Sequence, residues 1–112
     1  MSPSTLHALQ ASIRHWEALA ATTTADQIAI GPDKCGLCKE FWFTPERIDQ
    51  CKGCPVFEKT GERFCGSSPF EKANSLWDSW DEDEEFPWKE WKEAAQEELD
   101  FLRSLLPPES QP

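Results

Sequence analysis

Apolar positions recur at helical spacing over two stretches of this chain and break down between them. In residues 4–21, Leu6, Leu9, Ile13, Trp16 and Ala20 step by three or four, which places them on one face of a helix. Ser4 stands where an N-cap belongs, and the β-branched run Thr22-Thr23-Thr24 ends the pattern. The second stretch holds two helices. Ser68-Pro69-Phe70-Glu71 reads as a capping box, followed by Ala73, Trp77 and Trp80 at helical steps. Five acids, Asp81 to Glu85, would oppose the negative end of a helix dipole, so this helix is expected to stop near Trp80. Pro87 then opens a third helix carrying Trp88, Trp91, Ala95, Leu99, Leu102 and Leu106 on one side, which Pro107-Pro108 terminates. The two C-terminal helices are expected to lie antiparallel across the acidic connection.

The middle lacks such a period. Ile28 and Ile30 alternate, which allows a short strand. From 33 to 66 the chain is organised by cysteine. Cys35/Cys38 and Cys51/Cys54 form two Cys-x-x-Cys pairs with twelve residues between them. Gly36 and Gly53 sit inside the pairs, where a tight turn is expected to aim two sulfurs at one centre. Thr44-Pro45-Glu46-Arg47 predicts a short helix from 45 to about 51 that delivers Cys51, with Pro55 closing the turn after Cys54.

Two such pairs can complete a tetrahedral four-sulfur site, the arrangement of structural zinc. The alternatives are a ligand set that includes Cys65, an iron–sulfur cluster, or disulfides. Cys54-Pro55 matches the Cys-Pro ending of cluster ligand runs, but the other spacings do not. Five cysteines are an odd number for disulfides. The first residues lack the basic-then-apolar pattern of a secretory leader, and no apolar run has the ~20 residues of a membrane span. These signs predict a reducing, cytoplasmic setting, in which paired cysteines more often mean metal. His7 and His15 fall on the first helix and read as surface or packing residues. A thioredoxin-type redox pair would need a βαβ pattern that is missing.

With 112 residues and 38% hydrophobic content, the core is thin enough that a staple is expected. The fold expected is therefore a small α-rich, metal-stapled domain over 1–106: an N-terminal helix (4–21), a cysteine-rich zinc-knuckle core (33–66) and an acidic, tryptophan-rich helical hairpin (68–106), with a disordered tail at 107–112.

Charge narrows the function. The net charge is −10, and residues 71–100 hold 12 acids against 3 bases. Direct nucleic-acid binding needs a basic footprint, which this balance opposes. Lys34, Lys39, Arg47, Lys52, Lys59 and Arg63 are the one set from which a local basic face could be built, so a nucleic-acid-associated zinc module is the second reading. No nucleophile–base set, phosphate-binding glycine loop or His-Glu-x-x-His motif points to an enzyme, and a thiol or iron–sulfur redox protein is the third reading. The first is a non-enzymatic zinc-binding interaction module. Four of the six tryptophans lie between 77 and 91. Most are expected in the core, with Trp42 and Trp80 as contact residues beside Asp81, Glu82, Asp83, Glu84 and Glu85. That acidic stretch is either a solvated face or an array of carboxylates that imitates nucleic-acid phosphates before a basic protein surface.

Residues 35–70 also carry a resemblance. Cys35-Gly36-Leu37-Cys38, Cys51-Lys52-Gly53-Cys54-Pro55-Val56, the segment Gly61 to Cys65 and Ser68-Pro69-Phe70 resemble a group of small cysteine-rich proteins of bacteriophages and prophages. Those proteins carry Cys-x-Leu-Cys, Cys-x-Gly-Cys-Pro-Val and a later cysteine before a Ser/Thr-Pro-aromatic box. The resemblance implies that Cys65 belongs to the motif and that the setting is bacterial cytoplasm, a host's if the protein is phage-encoded. It implies a modulator of a host protein without bringing an activity.

Overall fold

The computed structural model describes residues 1–28, 30, 35–41, 51–62 and 68–108. Within them the chain forms five α-helices, α1 (Pro3–Ala21), α2 (Gly36–Phe41), α3 (Pro55–Thr60), α4 (Phe70–Ser79) and α5 (Trp88–Ser104), with one 3₁₀ turn at Ala25–Gln27 and no strand among the described residues. Neither Ile28 nor Ile30, where a short strand was expected, is in a strand; after the 3₁₀ turn Ile28 is buried and Ile30 packs half-buried against the core.

Helix α1 is capped two residues earlier than expected. Ser2, not Ser4, caps it, its hydroxyl accepting from the Thr5 N–H at 3.2 Å, and Pro3 occupies the first turn. At the other end Thr22 caps it with its backbone N–H to the Leu19 carbonyl, while its own hydroxyl donates to the Ala18 carbonyl. The buried face comprises Ala8, Leu9, Ser12, Ile13, Trp16 and Leu19. Leu9, Ile13 and Trp16 were expected there; Leu6 and Ala20 are only half-buried at its margin.

α5 lies against α1. Trp91 is fully buried, stacks on Trp16 with ring centres 6.3 Å apart, and donates its indole N–H to the Leu19 carbonyl at 3.2 Å. A buried tryptophan removes some 150–250 Å² from water, so this one side chain contributes about 4–6 kcal/mol of hydrophobic free energy before entropy is counted. Its hydrogen bond prevents the indole N–H from being stranded in the core. Phe70, at the start of α4, meets Trp16 edge-on at 6.1 Å, which draws α4 to the same centre.

α4 also packs on α5. It ends at Ser79, and Trp80 leaves in extended conformation as its cap, as the acids after it require. α5 opens after Pro87 and closes at Ser104. No helix among the described residues is long and apolar enough to cross a membrane.

The cysteine half differs from the turns expected of it. It contains two six-residue helices, α2 and α3, each beginning immediately after a cysteine. Pro55 does not close a turn; it is the first residue of α3, which Gly61 ends in left-handed conformation at φ 76°. The helix expected from 45 to 51 falls outside the described residues apart from Cys51 itself.

Candidate metal centre and acidic aromatic corner

Helix α2 is held on α1 by two small residues. Gly36 lies so close to α1 that a Cβ on it would stand 2.7 Å from both the Ala11 Cβ and the Ala8 carbonyl. Its role is therefore close approach of two helices, not the turn freedom expected of it. Ser12, fully buried on α1, accepts from the Leu37 N–H at 2.9 Å and so satisfies a first-turn amide of α2 that has no partner within its own helix. The same hydroxyl lies 3.1 Å from Cys35 Sγ. The Lys39 N–H to Cys35 carbonyl bond, at 2.9 Å, sets Cys35 on the threshold of α2 and Cys38 one turn on. Both are half-buried.

The second pair is built as a knuckle. Cys51 takes φ 68°, the left-handed region, at a cost of about 1–2 kcal/mol for a residue with a Cβ. Gly53 follows at φ 83°, where glycine is at ease, and its ideal Cβ position lies 3.3 Å from the Phe41 ring. The Cys51 N–H donates to the Phe41 carbonyl at 2.8 Å, which ties this knuckle to the end of α2. The Cys54 N–H returns to the Cys51 carbonyl at 3.0 Å and the Cys54 carbonyl accepts from Glu58 in α3. Cys51 and Cys54 are both buried.

The sulfurs of the two pairs sense each other. A hydrogen bond from the Cys38 side chain, opposed by burial and aided by the Ser12 hydroxyl and the Cys38 and Leu37 amides, lowers Cys35 to about 5. Burial raises Cys54, and the charges of Cys51 and Cys35 add to the rise. The fold thus brings Cys35, Cys38, Cys51 and Cys54 into one electrostatic neighbourhood, with none of them in a disulfide. Among the described residues, however, no group of three or more His, Cys, Asp or Glu is arranged to hold a metal ion. The donor chemistry, four thiols in two Cys-x-x-Cys pairs, fits zinc. Cys65 lies outside the described residues. His15 meets Trp16 edge-on at 6.3 Å, and His7 is exposed on α1.

Glu98 was missed in the sequence. It is 2% exposed on the inner face of α5, and its Oε2 has no hydrogen-bond partner among the described residues. Burial first, and the Cys35 charge second, push its carboxyl up to about 8, while the Phe70 N–H pulls it the other way. A signal existed: Glu98 falls seven residues after Trp91 and four before Leu102, on the face that packs inward.

The acidic connection forms a second feature. Phe86 is buried at the centre of four indoles, with ring centres at 4.6 Å to Trp88, 5.2 Å to Trp80, 6.0 Å to Trp91 and 6.1 Å to Trp77. Of these Trp91 is wholly inside; Trp77, Trp80 and Trp88 keep part of their surface in water. The Trp80 indole N–H donates to the Glu84 carbonyl at 3.0 Å, and the turn is closed by Glu84 N–H to the Asp81 carbonyl and Asp83 N–H to Asp81 Oδ1. Asp81, Glu82, Asp83, Glu84 and Glu85 are all exposed. Among the described residues, ion pairs join Lys72 to Glu97 and Arg103 to Glu17 and Asp100, and none involves these five. Trp42, the other expected contact residue, lies outside the described residues. Of the basic set, Lys39, Lys52 and Lys59 are described and exposed, whereas Lys34, Arg47 and Arg63 lie outside.

No protein-family model, curated protein or solved structure matches this chain.

Proposed function

We propose that this chain is a non-enzymatic interaction module whose acidic, tryptophan-bearing corner docks on a basic protein surface. In this reading a zinc ion on Cys35, Cys38, Cys51 and Cys54 holds the cysteine half together. The observation that supports it most is the corner itself. Partly exposed Trp80 and Trp88 are backed by buried Phe86, and the five consecutive exposed carboxylates between them form no ion pair among the described residues. Tryptophan anchors with a charged rim are what a protein contact site needs. The resemblance of residues 35–70 to phage proteins supports a host protein as the target.

The zinc would act as a cross-link between the knuckles. Four thiolates fill its coordination, leaving no position for a reactive water. Binding of this kind is worth on the order of 10 kcal/mol and becomes folding free energy.

Two measurements test the reading. Elemental analysis of protein purified without added metal should give one zinc per chain; iron with visible absorption would replace zinc by a cluster. Titration with an arginine- and lysine-rich peptide should perturb tryptophan emission, weaken as salt rises, and be abolished when Asp81 to Glu85 are changed to Asn and Gln. Binding that survives that change, or tight binding to DNA at physiological salt, would overturn the acidic-corner assignment.

A further inference from the structure

Trp80 is held in one pose against the acidic turn. Its indole N–H donates to the Glu84 carbonyl at 3.0 Å, so the one polar edge of the ring is already committed to the turn that carries the acids. Buried Phe86 meets the ring edge-on at 5.2 Å with planes 84° apart, and Trp77 stands beside it at 5.7 Å with planes 30° apart. Trp80 still keeps part of its surface in water. With its N–H engaged, the remaining ring surface has no donor to give a partner. It offers apolar area and the negative face of an indole, which attracts a cation.

The ring and the carboxylates therefore ask for positive charge at one place. Among the described residues the ring contacts of Trp80 are to Trp77 and Phe86, and no ion pair involves Asp81 to Glu85. Lys89 and Lys92, the bases nearest in sequence, are exposed and join no ion pair among the described residues. Asp81 Oδ1 already accepts from the Asp83 N–H, which leaves Glu82 to Glu85 as the freer acceptors.

From this juxtaposition we propose that the corner selects arginine over lysine: a guanidinium of the partner protein lies flat on the water-facing part of the Trp80 ring and donates to a carboxylate of the turn. The inference rests on the interaction reading and names the anchor within it. A guanidinium is planar and weakly hydrated, and its five donors point outward in its own plane. It can stack on a ring and form a forked bond to a carboxylate beside that ring at the same time. An ammonium is compact and strongly hydrated, and gains less from the indole face. Because Trp80 is already oriented by Glu84 and Phe86, little ordering is left for binding to supply.

The test titrates the full chain by calorimetry with an oligo-arginine and an oligo-lysine peptide of equal length, at low and high salt. The two peptides carry the same charge, so long-range attraction to the acids treats them alike and is screened as salt rises. The arginine peptide should bind about 2–5-fold tighter, and that preference should persist at high salt. Trp80→Leu should remove the preference and leave the salt-dependent attraction in place. That variant also loses the bond to Glu84, so a measurement on the wild type stands beside it. In a lysine peptide carrying one arginine, the arginine side-chain protons should shift upfield on binding and show nuclear Overhauser contacts to the Trp80 ring. Equal affinity for the two peptides would overturn the proposal and leave the interaction reading standing. A preference that survives Trp80→Leu, or an arginine that contacts no indole of the corner, would do the same by assigning the selectivity to the carboxylates alone. Failure of both peptides to bind at low salt would overturn the proposal and the reading together.

Discussion

Helices α1 and α5 bring Leu9, Ile13, Trp16, Trp91, Leu99 and Leu102 to a common interior, whereas α2 and α3 contribute Leu37, Pro55 and Val56 beside the sulfurs of Cys51 and Cys54. The first region is held by apolar area, with indole stacking at its centre. The second rests on a few close approaches: Gly36 against α1, the Ser12 hydroxyl under the Leu37 amide, and the Cys51 amide on Phe41. Six-residue helices do not stand on their own propensity. They exist here because the cysteine half leans on α1, and a metal bridging the two knuckles would reinforce it where apolar area is scarce. The contrast teaches that apolar area is concentrated on α1 and α5, while the described cysteines lie in the half with fewer buried apolar side chains.

The sharpest break in that contrast is Trp91→Ala. It removes the stacked indole and its bond to Leu19, and should cost about 3–5 kcal/mol. Urea unfolding should show both regions lost together, because α2 leans on α1. Survival of cysteine-half structure in that variant would mean the two halves are independent.

Gly36→Ala acts from the other side. The new methyl meets the Ala8 carbonyl and Ala11 Cβ, neither of which can swing away, so about 1–3 kcal/mol is expected. Hydrogen exchange should show α2 losing protection while α5 keeps it. Equal loss in α5 would show that the close approach supports the whole fold.

Ser12→Ala is milder, at about 1–2 kcal/mol, because it strands the Leu37 amide without moving the helices. It should also raise the pKa of Cys35, read as slower alkylation of that thiol at mildly acidic pH. An unchanged alkylation profile would separate the hydroxyl from the sulfur.

The smallest change expected is that of the wild type with pH, measured on metal-free protein. Glu98 sits at about 8 in the fold against 4.5 when exposed. The folded form therefore holds the extra proton, and its contribution is present below 4.5 and fades as pH rises toward 8. Cys35 sits at about 5 against 9, so its contribution is present above 9 and fades as pH falls toward 5. Between 5 and 8 the two slopes oppose, each at most about 1.4 kcal/mol per pH unit, and the wild type should be nearly flat. Glu98→Gln should uncover stability that rises with pH, and Cys35→Ser stability that falls. Thermal melts across that range check both signs, and a flat Glu98→Gln profile would show that the Cys35 thiolate does not support the fold.

What could be read from the chain alone was whatever repeats or punctuates. The faces of α1, α4 and α5 were visible because a helix that packs must present apolar residues every three to four positions, and Trp80 with its acids marked where α4 had to stop. The two cysteine pairs were visible as spacing. The rest required the folded chain. Helices α2 and α3 are too short for periodicity to show. Gly36 read as a turn because only the packed pair of helices reveals that its missing Cβ makes room for α1. Ser12 and Glu98 are polar yet buried, since a residue's burial is set by what its face meets and not by its own character. That α1 meets α5, with Trp16 on Trp91, was likewise undecided by pattern: an apolar stripe states that it needs a partner, and only the shapes of all the stripes together decide which one it finds.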